Sequence, residues 1–295
     1  MKGFSGVWTA LVTPMTESGV DYGALQNLIE RQIAAGVDGL VSVGTTGESP
    51  TLDPKEHIEV IRNTIKFASG RVPVIAGTGA NCTREAVHLT VEADEAGADG
   101  FLLVAPYYNK PSQEGVYLHM CEIAKHTKKP IMLYSIPGRC GIEISNSTVM
   151  RLIDAYDNFR VIKEAGGKVE KVADLRAAAG ERIDILSGDD ALTIDFMKAG
   201  AKGVVSVASN IIPEKMVEMV RLFRDGKIAE AEAVNSGLHG FFKALFVEPN
   251  PVPAKTAMAL LGMIKSPYVR LPLCSMEGAK LEILRGAMND IGLSF

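Results

Sequence analysis

The 295-residue sequence predicts an α/β fold: a closed (β/α)8 TIM barrel with a C-terminal helical extension. Three observations predict it. Short β-branched, apolar runs alternate with amphipathic helical stretches along most of the chain. One helix-to-strand junction occurs three times, as Ala35-Gly-Val-Asp-Gly39, Ala96-Gly-Ala-Asp-Gly100 and Ala199-Gly-Ala-Lys-Gly203. The Gly-rich dinucleotide fingerprint of an open doubly wound sheet is absent, since Gly77-Thr-Gly79 and Gly44-Thr-Thr-Gly47 do not fit its spacing.

Taken in order, residues 6–12 give the first strand and 22–34 the first helix, which ends at the first Ala-Gly junction. There one glycine turns left-handed to stop the helix, and the second lets the next strand begin close to its neighbour. Strands then follow at 39–43, 72–76, 100–104, 131–134, 160–163, 183–187 and 203–207. Helices fall between and after them at 54–68, 84–95, 113–126, 146–155, 169–179, 191–198 and 214–224. Asp53-Pro54, Thr83, Ser112 and Ser145 mark helix starts by capping or an early proline. Past about Asp225 the pattern is all helical, at 227–245, 254–264 and 276–291. The expected division is a catalytic barrel over residues 1–224 and a helical region over 225–295 packed upon it.

Hydrophobic residues make up 47% and charged residues 22%, which suits a large apolar core. The net charge of −4 comes without a basic block, which argues against nucleic acid as a partner. Cys82, Cys121, Cys140 and Cys274 show no metal-binding spacing and fit a reducing compartment. The start, Met1-Lys-Gly-Phe-Ser-Gly-Val-Trp8, lacks a signal-peptide pattern, and no apolar run approaches the roughly 20 residues of a membrane span. A cytoplasmic protein with no membrane partner is expected.

In a barrel, chemistry gathers at the C-terminal ends of the strands. Strand six ends at Lys163, inside Phe159-Arg-Val-Ile-Lys-Glu-Ala-Gly-Gly167. Burial lowers a lysine's pKa, and the neutral amine can attack a ketone to form a Schiff base. The plainer alternative is a lysine that snorkels to the sheet rim or pairs with Glu164. Strand two ends in Gly44-Thr-Thr-Gly-Glu-Ser49, which either exposes backbone N–H groups to a carboxylate or makes a tight capped turn. Strand four leads into Pro106-Tyr-Tyr-Asn-Lys-Pro111, whose tyrosines suit packing or an interface. Strand five supplies Tyr134, able to shuttle a proton, and Arg139, able to clamp a carboxylate. Asp189 and Asp190 read as caps of the next helix, not as metal ligands. His57, His88, His119, His126 and His239 fall mostly in expected helices and read as surface residues, so no metal is expected. A lysine, tyrosines, threonines and an arginine around one mouth suit Schiff-base carbon–carbon chemistry on small keto-acids.

Five segments stand in the order and spacing of a known family: Gly44-Thr-Thr-Gly-Glu-Ser49, Pro106-Tyr-Tyr-Asn-Lys-Pro111, Tyr134-Ser-Ile-Pro-Gly-Arg139, Ile162-Lys-Glu-Ala165 and Phe246-Val-Glu-Pro-Asn-Pro251. From Gly6 to about Ile264 the chain resembles the pyruvate-dependent class I aldolases, which include dihydrodipicolinate synthase and N-acetylneuraminate lyase. Arg139 and the Gly-Thr-Thr-Gly-Glu loop favour the synthase branch. Cleavage of N-acetylneuraminate or of a 2-keto-3-deoxy sugar acid is the alternative.

The resemblance implies a lyase that needs no cofactor beyond a covalent imine between pyruvate and Lys163. It implies condensation of pyruvate with L-aspartate 4-semialdehyde on the diaminopimelate route to lysine. Thr45 and Thr46 would hold the pyruvate carboxylate and Tyr134 would exchange protons at the imine. Thr45 would link Tyr134 to Tyr108, and Arg139 would serve the semialdehyde carboxylate. Main chain at Gly188 and Val205 would line the pyruvate pocket. In the family the residue matching Tyr108 crosses a subunit interface, which implies a homotetramer built from two tight dimers. Ser49, His57, Asn81, Glu85 and Tyr107 match the family's feedback site for L-lysine, although Pro50 and Pro54 depart from the form best known to bind it. Ser135, Cys140 and Gly166 are further departures, standing where Asn, Thr, and Ser or Thr are usual.

Overall fold

In the computed structural model, which describes residues 3–295, eight parallel strands close into a barrel. Met1 and Lys2 of the N-terminal stretch read above, and of the expected barrel domain, lie outside the described residues. The strands are β1 (Gly6–Ala10), β2 (Gly39–Ser42), β3 (Val74–Gly77), β4 (Gly100–Val104), β5 (Ile131–Ser135), β6 (Phe159–Glu164), β7 (Asp184–Ser187) and β8 (Gly203–Ser206). Each pairs with the next in chain order, and β8 closes on β1 with Gly203 opposite Gly6.

All eight expected strands are present, the fourth with the expected ends and the others with one or both ends shifted. The first stops at Ala10, and the Val12 amide beyond it donates to the Asn210 side chain at 3.0 Å instead of to a ladder. The third begins after Pro73, which has no N–H to give to a sheet. The short ribbon pairing Met15–Thr16 with Gly19–Val20 was not foreseen.

The helices are α1 (Tyr22–Ala35), α2 (Pro54–Ala68), α3 (Thr83–Glu95), α4 (Gln113–Ala124), α5 (Asn146–Ala155), α6 (Val169–Ala179), α7 (Thr193–Lys198) and α8 (Pro213–Arg224). Asp53, Ser112 and Ser145 cap their helices through the side chain as expected. Thr83 does not: it is the first residue of α3, and its hydroxyl bonds His119 Nδ1 at 2.9 Å. Helix α7 is shorter than expected because Ala191 and Leu192 form a turn on the Asp189 carboxylate, at 2.9 and 3.3 Å.

The repeated junction acts as the sequence suggests. Gly36, Gly97 and Gly200 have φ of 81°, 95° and 107°. A Cβ on Gly203 would stand 1.9 Å from the Gly6 carbonyl oxygen, so only glycine closes the barrel there. The aspartates of the first two junctions fix the strand starts, Asp38 accepting from the Val7 amide at 2.8 Å and Asp99 from the Val74 amide at 2.9 Å.

Side-chain alternation then decides what fills the lumen. Every strand contributes to an inner apolar cluster, through Trp8, Val41, Ile75, Leu102, Met132, Val161, Leu186 and Val205, with Ala10 added from β1. Phe4 stacks on Trp8 with ring centroids 5.1 Å apart and closes the N-terminal end. Two residues past Met132 and Val161, on the same inward face, come Tyr134 and Lys163.

Beyond α8 lie α9 (Ile228–Ala244), α10 (Val252–Leu260) and α11 (Gly278–Asp290). Helix α9 packs on α8 and α11, while α10 and the segments flanking it reach back to the loop after β2.

Candidate active site

Lys163 is 5% exposed at the mouth of the barrel, opposite Tyr134 in the β5–β6 register. Its Nζ lies 4.2 Å from the centroid of the Tyr134 ring. Burial pulls the Lys163 ammonium down to about 8, opposed by the Asp190 carboxylate and assisted by the Arg139 charge. The alternative pairing with Glu164 does not occur. Glu164 has the opposite parity on β6, pairs with Lys171 at 3.0 Å and accepts from the Gly166 amide at 2.7 Å. Lys171 also reaches Ser135 Oγ at 3.3 Å, so two of the departures from the family pattern, Ser135 and Gly166, meet at one ion pair on the outer side of the strand that carries Lys163.

Burial raises the Tyr134 phenol to about 12, against the pull of the Thr45 hydroxyl and the Arg139 charge. Thr45 and Tyr134 line the same narrow cleft. At neutral pH the phenol therefore keeps its proton.

The loop after β2 is strained. Val43 has φ of 54° and Glu48 φ of 58°, left-handed values that a β-branched residue such as valine seldom adopts. Within the turn, the Gly47 amide donates to the Gly44 carbonyl at 3.1 Å and the Glu48 amide to the Thr45 carbonyl at 3.1 Å. The amides of Thr45 and Thr46 donate to no acceptor among the described residues. Buried N–H groups are rarely left unpaired, so two open donors on a loop that shares a cleft with Tyr134 are able to receive a carboxylate.

Arg139 sits on the one-turn helix Pro137–Cys140 with its side chain exposed, and donates to the Asn250 carbonyl at 3.2 Å. Asn250 in turn donates its side-chain amide to the Thr46 hydroxyl at 3.0 Å. Sequence reasoning quoted Asn250 in a motif but gave it no role. Cys140 is buried and its thiol is pushed up to about 11, which makes it a packing residue.

Gly188 lies against Lys163: a Cβ there would stand 3.0 Å from Lys163 Cε. Val205 belongs to the lumen floor. Asp189 caps its turn, but Asp190 does not cap α7. It is 2% exposed and accepts from the Val207 and Ala208 amides at 3.0 and 2.9 Å. Its other oxygen has no hydrogen-bond partner among the described residues, and burial raises its carboxyl to about 6. Tyr108, in contrast, is 88% exposed with φ of 70°, and one chain does not bring its phenol onto Thr45.

A second cleft of about 280 Å³ is lined by Ser49, Pro50, Pro54, His57, Glu85 and Tyr107 among others. Asn81 stands outside its wall and binds the Tyr107 carbonyl at 3.1 Å. His57 and His119 are buried, not surface residues, because they fall on the inward faces of α2 and α4. The His57 ring bonds the Gly77 carbonyl at 2.7 Å. Among the described residues, no three His, Cys, Asp or Glu side chains are grouped to hold a metal ion, and no helix is long and apolar enough to cross a membrane.

A profile of the dihydrodipicolinate synthetase family matches residues 3–290. The 4-hydroxy-tetrahydrodipicolinate synthase of Persephonella marina is 45% identical over 290 residues, 98% of this chain and 99% of that protein. The crystal structure of the chloride-inhibited dihydrodipicolinate synthase of Acinetobacter baumannii complexed with pyruvate superposes with a TM-score of 0.95 at 42% identity, covering 98% of this chain and 99% of that one. The crystal structure of DHDPS from Cyanidioschyzon merolae with lysine bound gives a TM-score of 0.95 at 41% identity, covering 99% of each chain. By profile, identity over nearly the full length, and fold, the chain belongs to the dihydrodipicolinate synthetase family.

Proposed function

We propose that the chain condenses pyruvate with L-aspartate 4-semialdehyde, the 4-hydroxy-tetrahydrodipicolinate synthase reaction, through an imine on Lys163. The observation that carries this reading is an inward-facing lysine with pKa lowered to about 8 against the Tyr134 ring, and that tyrosine shares a cleft with Thr45 on the loop of open amides.

Those amides hold the pyruvate carboxylate, which sets the keto carbon against Lys163 Nζ. The neutral amine adds to that carbon, and the Tyr134 phenol protonates the oxygen that leaves as water. The imine then loses a methyl proton to give an enamine. Its carbon attacks the aldehyde of the semialdehyde, whose carboxylate Arg139 clamps through its planar fork. The amino group of the new chain adds to the imine carbon and closes the ring, and Lys163 leaves as a free amine. Gly188 and Val205 leave room for the three-carbon acid. No separate cofactor is required, since the lysine is the electron sink.

Tyr134 regains its proton through the Thr45 hydroxyl. The next member of the relay is Tyr108, supplied by a second copy of the chain, and its exposure and left-handed backbone suit an interface residue. The assembly proposed is a homotetramer made of two such dimers. L-Lysine as an effector fits the second cleft, whose lining includes the Glu85 carboxylate as a partner for a cation. A cytoplasmic location follows from the biosynthetic role.

Borohydride reduction in the presence of pyruvate, followed by peptide mass spectrometry, tests the first step. A pyruvyl adduct on Lys163 that is lost in Lys163→Ala is expected. Label on another residue, or none, overturns the proposal. Arg139→Ala should keep the adduct and lose condensation with the semialdehyde.

A further inference from the structure

The loop that presents the Thr45 and Thr46 amides is anchored by a buried ion pair that the reaction does not use. Glu48 and Lys255 meet at 2.6 Å with both side chains 0% exposed. Glu48 lies two residues past Thr46 on left-handed backbone, and Lys255 lies on α10 in the C-terminal region. The second carboxylate oxygen of Glu48 accepts from the Arg270 amide at 3.1 Å. The Arg270 guanidinium holds the Thr51 carbonyl at 2.8 Å and pairs with Glu56. On the opposite side of the loop, the Thr13 hydroxyl fixes the Gly47 carbonyl at 2.7 Å.

A buried ion pair is a poor source of stability, because apolar side chains of similar volume do as well or better. What it does supply here is orientation. Both Glu48 oxygens are committed, so the carboxylate sets the backbone on which Thr45 and Thr46 sit. It also supplies charge balance. An uncompensated carboxylate so near an anion receptor would repel the acid bound there, and Lys255 cancels that field.

We propose that Glu48 and Lys255 are positioning residues of the pyruvate site: the pair keeps the Thr45 and Thr46 amides convergent and the receptor free of negative charge. Affinity for the keto-acid is thereby set from α10, without contact. This rests on the proposed imine chemistry and deepens it.

The test compares Lys255→Met, which leaves Glu48 unbalanced, with the double variant Glu48→Gln/Lys255→Met, which removes both charges and protects the fold if the single variant does not survive. Adduct trapping and initial rates are measured against pyruvate and against semialdehyde, with thermal melts alongside. In Lys255→Met the half-saturating pyruvate concentration should rise about tenfold or more, the scale of a weakened hydrogen bond to a charged group. In the double variant it should rise by less, and half-saturation for the semialdehyde should move under about twofold in both. Unchanged half-saturation for pyruvate in a folded variant overturns the inference. Equal loss for both substrates overturns it too, because that is what a merely structural role gives. If the unaltered protein forms no adduct, the functional proposal fails first. If it forms one and the variants trap at the same pyruvate concentration, only the positioning role fails.

Discussion

The protonation of Lys163 is open to a signed test. With its pKa lowered to about 8, the amine is neutral in roughly one molecule in ten at pH 7, against roughly one in three thousand for a lysine at the usual value. That ratio, about 300-fold, is the advantage burial gives to the attacking form. The initial rate of adduct formation with pyruvate and borohydride should therefore climb about tenfold per pH unit up to about 8 and then level. Tyr134, raised to about 12, stays protonated throughout and adds no second inflection. Two substitutions should move the inflection in opposite directions. Asp190→Asn keeps an acceptor for the Val207 and Ala208 amides but removes the anion that favours the ammonium, so the inflection falls. Arg139→Ala removes a cation that disfavours the ammonium, so the inflection rises. An inflection near 10.5 in the unaltered protein, or shifts of the same sign in the two variants, would refute this account of the site.

Three further outcomes are expected. Lys163→Met should stabilise the protein at pH 7: the fall from 10.5 to about 8 corresponds to about 3 kcal/mol, a cost fully present below pH 8 and relieved as pH rises toward 10.5. Urea midpoints measured across that window decide it, and an equal or lower midpoint at pH 7 contradicts it. Tyr134→Phe should leave pyruvate bound but slow imine formation by about 10²- to 10⁴-fold, read by rapid-quench trapping; a loss under about threefold would deny the phenol a proton-transfer role. Gly166→Ser should cost about 1–3 kcal/mol, because the new Cβ would lie 2.6 Å from the Glu164 oxygen that accepts from the Gly166 amide and would pry open the pair with Lys171. Urea unfolding that matches the unaltered protein would remove that explanation.

The strand order, the closure and the mouth were legible because each depends on local rules. Alternation on β6 makes Val161 and Lys163 face inward and gives Glu164 to the outer layer, and three Ala-Gly junctions state the repeat. What escaped the sequence lies across great separations. Asn250 meets Thr46 over 204 positions and Lys255 meets Glu48 over 207, distances at which no periodicity carries a signal. The Gly-Glu step after Thr46 reads equally well as a solvated turn, and only the packed C-terminal region reveals where the carboxylate goes. His57 and His119 were misread because helical position alone does not say which face is inward. Asp190 looked like a cap because it follows a capping aspartate, yet its carboxylate reaches the amides after β8.

The depressed lysine and the barrel share one cause. The apolar side chains that fill the lumen are there because closure turns every second residue of each strand into a shared interior. That filling, closed at the N-terminal end by Phe4 against Trp8, is an apolar floor, and the next inward position on β6 stands on it. A lysine at that position loses water on its lower side whatever its neighbours are, so its pKa falls with the fold. The neighbours decide only how far. Asp190 from β7's loop restrains the fall and Arg139 from β5's loop extends it, each reaching the mouth along a different loop. A polar side chain introduced at Val161 would wet the floor directly beneath the amine. It would raise the pKa of Lys163 without touching any group that meets the substrate, which separates the contribution of the barrel from that of the loops.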